Sequence, residues 1–93
     1  MMSIPTVGSN QKLVFFKVKE IEPRKFECRL VGFVKDEAAL EAIREKVRRI
    51  LDASSSELTE DNLERKSFIC KVPEQTNEAF MKAAMEEGCI FRF

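Results

Sequence analysis

The sequence predicts a small α+β domain in which helices cover one face of a β-sheet. The 93 residues suffice for one hydrophobic core, since domains usually contain about 50 to 250 residues. Four segments alternate apolar and polar side chains with the period of a strand, and two segments have apolar residues at helical spacing. Each predicted helix has a single apolar stripe, so we expect it to pack against a sheet rather than to be buried on all sides.

The first two predicted strands form an antiparallel hairpin. Residues 12–21 and residues 26–34 have the side-chain period of a strand, with both faces apolar at the start of the first segment and at the end of the second. Pro23 favours a turn between them. Strands this close in sequence pair most simply with each other. Gly32 marks a position that suits a bulge or a close approach of two backbones.

Two later segments are predicted to be helical. Asp36 is a suitable N-cap for a helix over residues 37–52, which has its acidic residues early and its basic residues late, as the helix dipole favours. A second helix, capped by Thr76 or Asn77, is predicted to end just before Gly88. Glycine readily adopts the left-handed conformation that often terminates a helix.

Residues 66–72 and 89–93 are the other two predicted strands, and the segment between 53 and 66 permits two interpretations. It is either a short helical turn capped by Thr59 or a loop with a short edge strand near Leu58. The helical turn is favoured, because Glu, Asp and Asn are poor strand formers.

The predicted order of elements is therefore β-β-α-β-α-β. Strand–helix–strand crossovers are right-handed and place their helices on a face of the sheet. The simplest architecture is then a four-stranded sheet with both helices on one side. This is a two-layer α/β sandwich, ferredoxin-like or a permuted relative of that fold. A strand within residues 55–60 would give the sheet a fifth member.

The termini and the cysteines predict the extent of the domain and the cellular compartment of the protein. Residues 1–11 lack periodicity and are predicted to be a flexible N-terminal tail, followed by a single domain over residues 12–93. The start at Met1 and the strand-like end at Phe93 predict a complete small protein. The sequence has no signal-peptide pattern and no apolar stretch of membrane length. Its three widely spaced cysteines, an odd number, favour reduced thiols, so we expect a cytoplasmic protein.

The composition argues against an enzyme. Histidine is absent, so no side chain has an unperturbed pKa near neutrality and no cysteine has a histidine base to activate it. The cysteines lack the short paired spacing of a zinc site, and three glycines are too few for a phosphate-binding loop. We therefore predict a non-catalytic protein without a cofactor or a metal.

The most informative feature is a surplus of apolar residues at strand positions that do not face the helices. A large exposed apolar patch on a soluble protein marks an interaction site. We therefore predict a protein-interaction or self-association module, which binds another protein or a second copy of itself as a homodimer. If the hairpin twists away and the N-terminal tail covers the patch, no partner is needed. The predicted interface consists of Leu13, Phe15, Ile21, Val31, Phe33, Ile69 and Ile90.

The segment 12–21 is also predicted to be an edge strand of the sheet. Its start, residues 12–16, is β-prone and free of proline. An open edge of this kind pairs readily with a second copy or with a strand of a partner. Flanking lysines are typical of edges that avoid indiscriminate aggregation.

The alternative function is binding of RNA or single-stranded nucleic acid by the basic hairpin. Residues 1–35 contain seven Lys or Arg against three Glu, and basic residues interleaved with aromatic ones on a sheet can neutralise and stack a single strand. Against this, Lys+Arg and Asp+Glu both number 16 over the chain, and the glycines of an RNP1 motif are absent. A second alternative, a regulatory domain with a small ligand at a dimer interface, has no signature in the sequence. The candidate nucleic-acid contacts are Lys12, Lys17, Lys19, Arg29, Arg44 and Arg48.

Overall fold

A five-stranded mixed β-sheet carries two α-helices on one of its faces in the computed structural model, which describes residues 13–32, 34–74 and 78–93. The predicted N-terminal tail, Lys12, Phe33 and the predicted helix caps Thr76 and Asn77 lie outside these residues. The elements are β1 (Val14–Glu22), β2 (Lys25–Val31), α1 (Glu37–Ala53), β3 (Glu57–Asn62), a 3-10 turn (Leu63–Arg65), β4 (Ser67–Lys71), α2 (Glu78–Glu86) and β5 (Cys89–Arg92).

The α+β class is as predicted, but the order of elements is β-β-α-β-β-α-β, not β-β-α-β-α-β. The predicted helical turn over residues 59–64 is wrong, because β3 occupies most of that segment and the 3-10 turn begins only at Leu63. The alternative interpretation, an edge strand that includes Leu58, is correct. Hydrogen bonds to β4 override the poor strand propensity of the acidic residues, whose side chains stay exposed at this edge.

The predicted hairpin of β1 and β2 is confirmed, with an antiparallel register that pairs Phe16 with Leu30 and Val18 with Cys28. The second strand ends at Val31 rather than at residue 34. It ends there because Gly32 has a φ of +104°, a backbone conformation that breaks the extended strand and favours glycine.

The strand β1 is not an edge strand, which corrects the prediction for residues 12–21. The sheet order is β3-β4-β2-β1-β5, so β1 pairs with β2 on one side and with the parallel strand β5 on the other. The helix α2 carries the chain across β2 and β1, and β5 then covers the free edge of β1. The edges of the sheet are instead β3 and β5.

The core lies between the sheet and the helices, and aromatic rings form its centre. Phe16 and Phe91 are parallel neighbours whose ring centroids are 4.6 Å apart. Phe68 and Phe80 approach this pair edge-on. Three buried residues of α1 complete the cluster: Val47, Ile50 and Leu51.

The ends of the helices follow the sequence signals that lie within the described residues. The carboxylate Oδ1 of Asp36 accepts a hydrogen bond of 2.9 Å from the backbone N–H of Ala39 and so caps α1, as predicted. Gly88, just after α2, has the predicted positive φ, +77°. An ion pair of 2.9 Å between Arg49 and Glu87 links α1 to the end of α2.

Candidate interaction surface on the open sheet face

One face of the sheet is left uncovered by every described helix and strand, and we call it the open face. Side chains alternate between the two faces along a strand, so the partners of the buried core residues point to this side. The open face consists of Phe15, Lys17, Lys19, Lys25, Glu27, Arg29, Val31, Glu57, Glu60, Asn62, Ser67, Ile69, Lys71, Ile90 and Arg92.

Three apolar residues of the open face lie side by side across three strands. Phe15 on β1 is in register with Val31 on β2 and with Ile90 on β5. Phe15 exposes 40% of its surface and Val31 exposes 48%, whereas Ile90 is half-buried. We call these three residues the apolar row.

The structure separates the six described residues of the predicted interface. Leu13, which is 56% exposed, directly precedes β1 at the same end of the sheet as the apolar row. Ile21 is exposed at the opposite end of β1, where the register with β2 shifts. Ile69 is half-buried on β4, in register with Glu27 and Glu60. The predicted interface is therefore not one continuous patch, and its densest part is the apolar row with Leu13.

A row of cations runs beside the apolar row. Lys17 on β1 is in register with Arg29 on β2 and with Arg92 on β5, and all three are exposed. We call them the cationic row. Arg92 was not among the predicted site residues, although its alternation with Phe91 places it on the same face as Ile90. The parallel pairing of β5 with β1, which brings Arg92 beside Lys17, has no signal in the sequence.

The charges on the open face are only partly compensated. The guanidinium of Arg29 lies 3.8 Å from the carboxylate of Glu27, and Glu27 is also in register with Lys19. Among the described residues, Lys17 and Arg92 form no ion pair. Like charges in directly opposed positions destabilise a sheet, so the cationic row is unfavourable unless an anionic group lies against it.

Two of the predicted nucleic-acid contacts lie in the other layer, which is a correction. Arg44 on α1 forms ion pairs with Asp61 of β3 and with Glu41; partial burial opposes the charged form, but these carboxylates raise the pKa of Arg44. Arg48 pairs with Glu45 at 3.2 Å. Arg44 thus links α1 to β3, whereas the ion pair of Arg48 stays within α1. The sheet separates both arginines from Lys17, Lys19 and Arg29.

The apolar surface continues around the end of the sheet. A groove of about 370 Å³ lies between the first half of α1 and the ends of β1 and β2. Leu13 and Val31 line this groove together with Val34 and Ile43, so the exposed apolar surface at this end of the molecule extends beyond the apolar row. Lys35 and Lys46 also line this groove.

The cysteines form part of the core. Cys28, Cys70 and Cys89 are each at most 1% exposed and free. A hydrogen bond with the neighbouring Cys70, together with burial, raises the pKa of the Cys28 thiol, and burial raises the pKa of the Cys89 thiol to about 11. Cys28 and Cys89 are therefore poor nucleophiles at neutral pH, because the thiolate is the reactive form. The described residues also contain no cluster of three or more potential metal ligands.

The chain matches no protein-family model, and it has no significant match among curated proteins or solved structures. Within the described part of the chain, neither helix combines the length and the apolar character that crossing a membrane requires.

Proposed function

We propose that this protein is a non-catalytic interaction module that binds a protein partner through its open face. One observation carries the proposal: Phe15, Val31 and Leu13 expose 40%, 48% and 56% of their surface at one end of a sheet face that no described element covers. Burial of apolar surface contributes about 25 cal/mol per Å², so a partner that covers this end gains affinity. The three free thiols in the core support a reducing location such as the cytoplasm.

A partner protein fits the open face better than a second copy does. In a face-to-face dimer whose two-fold axis runs parallel to β1 and passes over Lys17, that lysine would lie against its own copy, and Arg29 would lie against Arg92 of the other copy. Opposed like charges across an interface are unfavourable and select against that pairing. A partner of different sequence avoids this repulsion.

A site-specific photocrosslink in the native host tests the proposal. The substitution Phe15→benzoylphenylalanine places the reactive group within the apolar row, and Arg48→benzoylphenylalanine is the matched control on the exposed side of α1, where the arginine side chain is 61% exposed. We expect a protein adduct from position 15 and none from position 48. Equal adducts from both positions, or none from position 15, would contradict the proposal.

Single-stranded nucleic acid is a second candidate ligand, because the cationic row lies beside the exposed ring of Phe15. Cations neutralise phosphates and an aromatic ring stacks on a base. Fluorescence anisotropy with oligouridine and oligothymidine at low salt tests this candidate. Binding that falls with salt and is lost in the variant with Lys17, Arg29 and Arg92 changed to alanine would support it, and absence of binding would exclude it.

A further inference from the structure

Two parallel rows on the open face have the geometry of a docking surface for a helix. The apolar row and the cationic row each contain one residue from β2, one from β1 and one from β5. Neighbouring strands are about 4.8 Å apart, and residues two positions apart along a strand are about 7 Å apart. Each row therefore extends about 10 Å across the strands, and the rows lie about 7 Å from each other.

From this geometry we infer that the partner presents an acidic amphipathic helix, which lies across the strands with its carboxylates on the cationic row and its apolar side chains on the apolar row. The inference rests on the proposed function and names the chemistry of the partner. Three acidic residues at positions i, i+4 and i+7 of that helix would lie opposite Arg29, Lys17 and Arg92.

The spacing of the rows matches a helix rather than an added strand. Residues one turn apart on a helix are about 5 to 6 Å apart, close to the spacing between strands of about 4.8 Å. Two turns span about 11 Å, which is the length of each row. An extended segment added to a sheet edge would run parallel to the strands and would contact only one residue of each row.

The charges favour carboxylates over a phosphate backbone. Glu27 lies next to Arg29 at 3.8 Å, and Glu60 lies on the same face in register with Ile69. A continuous polyanion that crosses the open face would meet these acids, whereas a helix can place its acidic side chains on the cationic row alone. Stacking of bases needs aromatic rings, and Phe15 is the one aromatic residue of the described open face.

The acidic helix α1 of this chain does not fit the surface of a second copy. The acidic residues Glu37, Glu41 and Glu45 of α1 have helical spacing, but Glu41 and Glu45 already pair with Arg44 and Arg48. The apolar stripe of α1 lies in the core. The two rows therefore favour a helix of another protein whose acidic stripe and apolar stripe are both free.

The test begins with the crosslinked segment from Phe15→benzoylphenylalanine, which mass spectrometry identifies. A synthetic peptide of that segment then binds the purified protein, and fluorescence anisotropy measures its Kd. Lys17→Glu reverses a charge of the cationic row, and Lys71→Glu is the matched control at the far end of the open face, where Lys71 pairs with Lys25 and Glu57. Arg92→Glu on β5 is a second variant of the row, and circular dichroism verifies that each variant is folded.

We expect a segment with helical apolar periodicity and acids along one flank. Its affinity should fall at least tenfold with Lys17→Glu or Arg92→Glu, and less than threefold with Lys71→Glu. A peptide with its acids changed to glutamine should also bind at least tenfold more weakly. Equal effects of Lys17→Glu and Lys71→Glu would overturn the inference.

The identity of the crosslinked segment distinguishes a failure of this inference from a failure of the proposed function. A protein segment that is neutral, basic or extended contradicts the helix and leaves the proposed function standing. An adduct with a second copy of this chain or with nucleic acid also overturns the inference. No protein adduct at position 15 contradicts both.

Discussion

Lys17 on β1 lies directly opposite Arg29 on β2 in the antiparallel register, with both side chains on the open face. On its other side, Lys17 is in register with Arg92 of the parallel strand β5. A sheet gains stability from oppositely charged cross-strand pairs and loses it from like-charged ones. Natural sequences tend to break such local rules at functional sites, and the anionic partner proposed above would compensate for this cost at the centre of the open face.

Removal of the central charge is therefore expected to stabilise the free protein. Lys17→Thr should raise the free energy of unfolding by about 0.5 kcal/mol at low salt, and the gain should shrink in 1 M salt, where the Debye length is about 3 Å. Urea denaturation measures both values. Lys19→Thr is the matched control, because Lys19 is in register with Glu27 and its loss removes a favourable pair. Equal gains from both variants would show that strand propensity, and not charge, is responsible.

Two neighbouring phenylalanines of β1 should differ greatly in their contribution to stability. Phe16 is fully buried and stacks on Phe91, whereas Phe15 is 40% exposed on the open face. We expect Phe16→Ala to lower the free energy of unfolding by about 3 to 5 kcal/mol and Phe15→Ala to lower it by about 1 kcal/mol or less. Chemical denaturation of the two variants tests the assignment of faces. A larger loss for Phe15→Ala would show that the open face is covered in the free protein.

The faces of the strands could be predicted from the sequence because the side-chain period of a strand is a local property. The alternation of Phe15 with Phe16 and of Ile90 with Phe91 assigns each residue to a face without knowledge of its neighbours. The N-cap Asp36 and the helix terminator Gly88 are local signals of the same kind. These features of the fold, and the residues of the apolar row, therefore followed from the sequence.

The pairing of distant strands could not be predicted in the same way. Asp61 and its neighbours have a low intrinsic preference for strands, and the hydrogen bonds that hold them in β3 come from β4. The position of β5 beside β1 depends on a crossover through α2 and on the stacking of Phe91 on Phe16. Arg92 joins the cationic row only because of this pairing. Without this pairing, β1 was expected at an edge and Arg92 was not among the predicted contacts.

The N-cap of α1 should contribute measurably to stability. Asp36→Ala removes the acceptor for the backbone N–H of Ala39, which is bonded at 2.9 Å. Loss of such a cap costs about 1 kcal/mol, and we expect a decrease of this size in urea denaturation. Asp36→Asn retains an acceptor oxygen and should cost a few tenths of a kcal/mol, at most about 0.5 kcal/mol. If Asp36→Asn instead costs about 1 kcal/mol or more, as Asp36→Ala does, then the charge rather than the hydrogen bond stabilises the helix.

The buried thiol of Cys89 should make the protein less stable at high pH. Burial raises the pKa of Cys89 to about 11 in the folded protein, whereas an unfolded cysteine has a pKa of about 8.5. Between these values the unfolded chain loses the thiol proton and the folded chain retains it. The unfolded state then binds fewer protons, so the free energy of unfolding falls as the pH rises through this interval. The decrease due to one thiol is at most about 1.4 kcal/mol per pH unit.

Urea denaturation of Cys89→Ala at pH 8 and at pH 10, in the presence of a reductant, isolates this contribution. The variant is less stable than the wild type at pH 8, because its methyl group leaves a space in the core, but it should lose less stability between the two pH values. Val47→Ala is the matched control, since Val47 is also buried in the core and has no thiol. It should be destabilised at pH 8 and keep the full pH dependence of the wild type. If Cys89→Ala and Val47→Ala lose the same free energy between pH 8 and pH 10, the Cys89 thiol ionises equally easily in the folded and unfolded chains.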